Sequence, residues 1–344
     1  MPAEDFIIRR DKILELIIDS HIITAVPIAS RTISRKSRLG LSPATIRNVM
    51  SDLEELGFIM HPHTSAGRVP TEKGYRYYIN RLMQAKLLTE EEKKHINKEF
   101  RIKVNDIDEL LNKTSRVLSS ITKQTGLVLF PLLERSVFKH IELLRLDKKR
   151  FLVVLVTESG VAEDAIIDVN EDIEDTELLR ITNFINSQIG KGSLTKIRRD
   201  IMDRLLAERD SFFYILEKAK RIIDIMLDMV EENRIYLDGR IRMAEQPEFE
   251  DAKKLKNIFR MLEDESFLMS ILLKNLDEDG VRVYIGSELN DDFKGCSFIT
   301  SNYCIGDTSC GTLGVIGPSR MEYAKLVSMV SYVGKALSKV LSEK

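Results

Sequence analysis

The chain has 344 residues, of which 43% are hydrophobic, and a formal net charge of −2. That length predicts two or three domains, and the absence of any run of about eighteen apolar residues argues against a transmembrane helix. The near-neutral balance excludes a chain that is basic throughout. Glu4, Asp5, Arg9 and Arg10 around a short apolar pair argue against a secretory signal.

In chain order, Ile7, Ile8, Leu14, Ile17 and Ile18 predict a first helix. Val26-Pro27 opens a second, holding Ile28, Ala29 and Ile33, with a basic continuation at Arg31, Arg35, Lys36 and Arg38. Ser42 and Pro43 then form a helix-start signal, because serine caps orphan amides and proline at the first position loses no hydrogen bond. Ile46, Val49, Met50, Leu53 and Leu56 recur at amphipathic spacing, predicting a helix over 42–57. Stepping about 100° per residue puts Ala44, Asn48, Ser51 and Glu55 on the opposite face, with Arg47 at its flank. Exposed helix faces are usually Lys and Glu. A small, amide- and hydroxyl-bearing row suits base reading instead, since Asn pairs bidentately with adenine and Arg with guanine. Ser42, Ala44, Thr45, Arg47, Asn48 and Ser51 are therefore the candidate DNA contacts of a recognition helix.

Gly57 ends that helix. Phe58-Ile59-Met60 is short and strand-like, residues 61–67 form a polar turn carrying His61 and His63, and Arg68-Val69-Pro70 can return. A reading helix running into a hairpin over 58–70 is the plan of a winged helix-turn-helix. Arg35, Lys36, Arg38 and Arg68 are the candidate phosphate contacts. From Arg31 to Arg81 there are nine Lys or Arg against four acidic residues, so the basic footprint is confined to this module. A small helical bundle that docks a protein is the simpler alternative.

Thr71 can cap a helix through Tyr75, Tyr78, Ile79 and Leu82, and the polar run Thr89 to Lys94 reads as a linker. Residues 96–125 are helical in pattern. Strands follow at 127–132, 137–146, 151–157 and 161–169, an antiparallel meander that resumes at 281–285, 296–305 and 311–316. A last amphipathic helix carries Leu326, Val330, Val333, Leu337 and Leu341. Between the halves, Phe212, Leu216, Ala219, Ile223, Met226 and Val230 step by four and three, the coiled-coil seam period. Further apolar residues widen that surface, which is either an internal core helix or a subunit interface; the interface is favoured because large apolar patches usually mark association. The reading is an α+β chain of three parts. They are a winged helix-turn-helix at 1–88, an antiparallel-sheet domain at 95–170 and 265–344, and an inserted, mainly helical dimerisation domain at 171–264.

Cys296, Cys304 and Cys310 lack zinc-ligand spacing and nearby histidine, so they read as free thiols in a reducing cytoplasm, the expected location. No phosphate-binding, dinucleotide or hydrolase motif appears. Glu142, Asp164, Asp168 and Glu288, with His140, are scattered among strands and read as solvent-facing residues, so neither catalysis, metal nor cofactor is expected. A small-molecule effector in the sheet domain is the remaining alternative, because apolar pockets leave no motif. The aromatic strand motifs of RNA modules are missing.

The run LSPATIRNVMSDLEELGFIMHPHTSAGRVPTEKGYRYYI, Leu41 to Ile79, and the run GTLGVIGPSRMEY, Gly311 to Tyr323, resemble the HrcA family of bacterial heat-inducible transcription repressors. The similarity extends over essentially the whole chain, with departures at Ala29, Val49 and Leu289. The resemblance implies a GAF-like fold for the sheet domain. It also implies a homodimer on an inverted-repeat operator of chaperone genes, and promotion of the active state by the chaperonin GroEL.

Overall fold

The computed structural model describes residues 2–37, 40–62, 67–100, 106–132, 136–169, 172–189, 193–207, 213–230, 234–276, 280–289, 293–306 and 309–342. Three helices begin the chain: α1 (Pro2–Thr24), α2 (Ser30–Lys36) and α3 (Pro43–Glu55). A two-stranded antiparallel pair follows, β1 (Ile59–Met60) with β2 (Val69–Pro70), and then α4 (Glu72–Tyr77), continued by a wider turn of helix over Tyr78–Leu82. Ile13, Leu14, Ile17 and Ile18 of α1 are buried, whereas Ile7 and Ile8, expected on that face, are exposed. The second helix starts at Ser30, later than Val26-Pro27 suggests. Ile28 is instead extended and exchanges both backbone hydrogen bonds with Arg68, at 2.8 and 2.9 Å, an isolated antiparallel bridge beside the hairpin.

The run expected to be a linker is a helix start. Thr89 N–H donates to Glu92 Oε2 and Glu92 N–H to Thr89 Oγ1, a reciprocal cap that opens α5 (Glu90–Phe100). The connection therefore shrinks to 83–89. Next come α6 (Ile107–Thr122) and β3 (Thr125–Leu129).

After β3 the chain departs from the single sheet expected. Strands β4 (Phe138–Arg145), β5 (Arg150–Thr157) and β6 (Ala162–Asp168) make a separate three-stranded antiparallel sheet. This sheet packs on α7 (Asp175–Gln188) and lies beside α8 (Leu194–Ala207) and α9 (Phe213–Val230). Asn186 of α7 satisfies both backbone groups of Ile141, at 2.9 and 2.8 Å, just past an irregularity in β4. The meander thus belongs with the inserted helices, and the break in the sheet falls between β3 and β4 rather than at 170.

The chain then returns as β7 (Ile235–Asp238), α10 (Ile241–Ala244), α11 (Ala252–Glu263), α12 (Glu265–Leu273), β8 (Val281–Ile285), β9 (Cys296–Ile305), β10 (Ser309–Pro318) and α13 (Tyr323–Ser342). Five strands pair antiparallel in the order β7-β3-β10-β9-β8. Residues 235–264, expected in the insertion, supply an edge strand and a covering helix of this sheet instead. Along β3, Leu127 and Leu129 face a core shared with α11 and α12, while Val128 faces the core that holds α6 and α13. All five residues of β3 are buried, as in a sheet covered on both faces. The architecture is a mixed α+β one with antiparallel sheets.

Two further expectations are corrected. Leu216, Ala219, Ile223 and Met226 are fully buried within the single chain, packed in one core with α7 and the meander, so the α9 seam is an internal core stripe. Phe212 and the side chain of Val230 lie outside the described residues. Cys304 and Cys310 are register partners across the β9–β10 hairpin and form a disulfide, leaving Cys296 as the free thiol. The hairpin brings together two residues whose spacing alone signals nothing.

Candidate nucleic-acid interface

Helix α3 starts where its sequence says. Ser42 Oγ accepts from Thr45 N–H at 3.1 Å and shares a 2.9 Å hydrogen bond with the Thr45 hydroxyl, while Pro43 occupies the first turn. Ile46, Val49, Met50 and Leu53 are buried, which fixes the helix's rotation. Ala44, Arg47, Asn48, Ser51 and Glu55 are consequently exposed together. Arg47 and Asn48 have no hydrogen-bond or ion-pair partner among the described residues, so both heads are available to a ligand. Thr45 is half-buried and engaged by the cap, which makes it a support of the face rather than part of it. Leu56, expected on the apolar side, is exposed.

The hairpin is braced against α3 by side chains. Arg68 Nη2 lies 2.7 Å from Glu54 Oε2, and its Nη1 is 2.6 Å from His61 Nδ1. Only 18% of the Arg68 side chain is exposed. Thr71 Oγ1 donates to Gly57 O at 2.7 Å and accepts from Gly74 N–H at 3.0 Å, joining the end of α3 to the start of α4. Lys73 Nζ donates to Leu56 O at 2.8 Å and lies over the Phe58 ring. At Gly67 a Cβ would run into the Ile28 backbone, so glycine is what lets the hairpin close on residue 28.

Of the four expected phosphate contacts, Arg35 is exposed on α2, and Lys36 is exposed with its ammonium 3.3 Å from Ser20 Oγ. Arg68 is committed inside the module. Arg38 lies outside the described residues, as does His63. The carboxylates weighed for chemistry stay apart. Glu142 pairs with exposed His140 at 3.0 Å, Asp164 and Asp168 are exposed on β6, and Glu288 meets Arg76 of α4. Neither the Arg68–Glu54 pair nor the Arg76–Glu288 pair carries a sequence signal, the second joining positions 212 residues apart.

Residues 108–327 match the family model described as the HrcA protein C-terminal domain. The chain belongs to the HrcA family. Its N-terminal module lies before that match but within the relatives' alignment. The Heat-inducible transcription repressor HrcA of Pelotomaculum thermopropionicum is 40% identical over 334 residues, covering 97% of this chain and 96% of the relative. That of Geobacter sulfurreducens is 38% identical over 334 residues, covering 97% of each. The HrcA of Carboxydothermus hydrogenoformans is 39% identical over 345 residues, covering 98% of each. A solved structure described as a hypothetical protein shares the fold, with a TM-score of 0.58 at 21% identity over 97% of this chain and 98% of that one. As an HrcA-family protein the chain is a negative regulator of heat-shock transcription and not an enzyme. Among its described residues no helix is long and apolar enough to cross a membrane.

Proposed function

We propose that the chain represses by seating a two-fold dimer on an inverted-repeat operator, with residues 1–88 acting as a winged helix-turn-helix and α3 as the reader in the major groove. The carrying observation is the exposed, unpartnered pair Arg47–Asn48 on a helix whose opposite face is locked into the core. Ala44 and Ser51 beside it allow close approach, and Arg31, Arg35 and Lys36 on α2 supply positive charge for the backbone. Repression then needs no chemistry, because a protein seated near a promoter excludes polymerase.

One reader makes too few base contacts for operator-level affinity, so two are required. With the α9 stripe internal, the surface that supports a dimer is the open face of the three-stranded sheet. There Leu144, Leu152 and Ile166 stand in one cross-strand row, with Leu144 and Ile166 exposed. The five-stranded sheet takes the GAF-like role, and chaperonin GroEL promotes the active state; the family resemblance supports both. Asn48→Ala, measured by gel shift against operator and random duplex, should lose about 1–3 kcal/mol of discrimination with the fold intact. Full operator preference in that variant would remove α3 as the reader. Heat-inactivated protein that regains no operator binding on adding GroEL would remove the chaperonin.

A further inference from the structure

Besides the Tyr75–Tyr323 ring contact at 6.0 Å, the DNA-binding module is gripped by polar contacts that nothing in its own function requires, the densest of them at the edge of the five-stranded sheet. Two residues one turn apart on α4, the helix immediately behind the hairpin, reach the same turn at the end of β8. Glu72 Oε2 accepts from Ser287 N–H at 3.1 Å and from the Ser287 hydroxyl at 2.8 Å. Arg76 donates from Nε to Glu288 Oε1 and from Nη2 to Val283 O, both at 2.6 Å, and pairs a second time with Glu288 through Nη2. Glu288 is itself held by Ile285 N–H at 2.9 Å, so the acceptor is fixed before Arg76 arrives. Gly286 has φ +48°, and a Cβ there would overlap the Glu72 carboxylate. The turn is shaped around that side chain.

Two more contacts make the grip directional. Arg320, anchored by Glu248, donates from Nη1 to Ile22 O in the last turn of α1 at 2.8 Å. Lys86 N–H in the connection donates to Ala324 O at 2.8 Å. Three separated points define an orientation, whereas the connection over 83–89 alone would leave the module free within about 25 Å at full extension.

We infer that the α4 latch on Gly286-Ser287-Glu288 fixes the bearing of the reading helix on the rest of the chain, and thereby sets which half-site spacing a dimer accepts. Glu72 and Arg76 are positioning residues: they touch no base, yet they decide where the second reader lands. This rests on the dimeric operator reading above. An unlatched module still reads its own half-site, but its tether lets it follow a half-site that has been moved.

The test uses the full-length protein and gel shifts on inverted repeats whose spacer is varied by up to about five base pairs, half a helical turn. Gly286→Ala and Arg76→Gln combined open both halves of the latch, and Arg320→Gln added to them removes the contact to Ile22 O. Wild type should lose on the order of 10²-fold or more in affinity when the second reader is turned away. The combined variants should lose less than about tenfold on the same change, the triple variant least, because the tether restores the second contact. Discrimination against base substitutions inside a half-site should stay at the wild-type level, which a merely unfolded module could not show. Variants that keep the wild-type spacer preference overturn the latch, as do variants that bind every spacer more tightly with the preference intact. A wild type indifferent to spacing also overturns it, and one that fails to prefer the repeat over random duplex fails the operator reading itself.

Discussion

Arg68 and Glu54 form a 2.7 Å ion pair that ties the second strand of the hairpin to the last turn of α3. Both side chains are two-thirds or more covered, and His61 holds the other end of the same guanidinium. The cation nearest the expected phosphate path is thus spent on keeping the hairpin at a fixed angle to α3.

Arg68→Ala should therefore weaken DNA binding by loosening the hairpin rather than by losing a phosphate contact. The slope of log affinity against log salt should stay within error of wild type, where a lost contact would flatten it by about 0.9. Glu54→Gln should weaken binding in the same way, and the double variant should cost less than the sum. A flattened slope in Arg68→Ala alone would return this arginine to the phosphate backbone.

Burial separates the two readings of the insertion. Ile223 is fully buried, so Ile223→Asp places an unpaired charge in the core and should cost several kcal/mol, about 3–5. Thermal unfolding would show it as a lost or greatly lowered transition. Ile166 is 61% exposed, so Ile166→Asp should leave the unfolding transition in place while light scattering reports a monomer. A dimer that survives Ile166→Asp moves the interface off this face.

The cysteines should report in two classes. Burial pushes the Cys296 thiol up to about 12, so it carries almost no thiolate near pH 8. Thiol titration of the native oxidised chain should find no fast-reacting group, and mild reduction should release two, Cys304 and Cys310. One fast thiol before reduction would contradict the burial of Cys296.

At the β4–β5 turn, Asp147 accepts from Lys149 N–H at 3.0 Å, and from Arg150 N–H at 2.9 Å and Nε at 2.6 Å. Those backbone and side-chain donors hold its carboxyl at about 2. A folded value below the unfolded one, about 3.9, means that the turn's stabilisation is present above that unfolded value and lost as pH falls through about 2. The melting temperatures of wild type and Asp147→Ala should accordingly differ at neutral pH and converge in acid. An Asp147 titration midpoint near 4 by NMR would sink this account.

Helix α3 was legible because its signals are local. The Ser42-Pro43 start, the buried positions 46, 49, 50 and 53, and the exposed 44, 47, 48 and 51 all lie within a few turns of one helix. The Thr71 cap was legible for the same reason, whereas Thr89 was misread because a polar run and a capping box look alike until Glu92 folds back. The expected strands lie close to their observed ranges, but β7 is not among them, and their partition into two sheets is not legible either. Alternation along β4, β5 and β6 is the same whether the meander continues β3 or stands apart.

The sequence by itself thus determined the family, the bounds of α3 and its exposed face, since periodicity and capping act over one to four residues. Tertiary structure alone decided that the α9 stripe is core, because a seven-residue period marks a buried side without saying which chain buries it. It also decided that Cys304 meets Cys310, through a strand register that spacing does not encode. The committed Arg68 and the latch of Glu72 and Arg76 on residues 283–288 belong to the same class. Ion pairs between distant segments depend on where the backbone carries each charge, and that is a property of the folded chain as a whole.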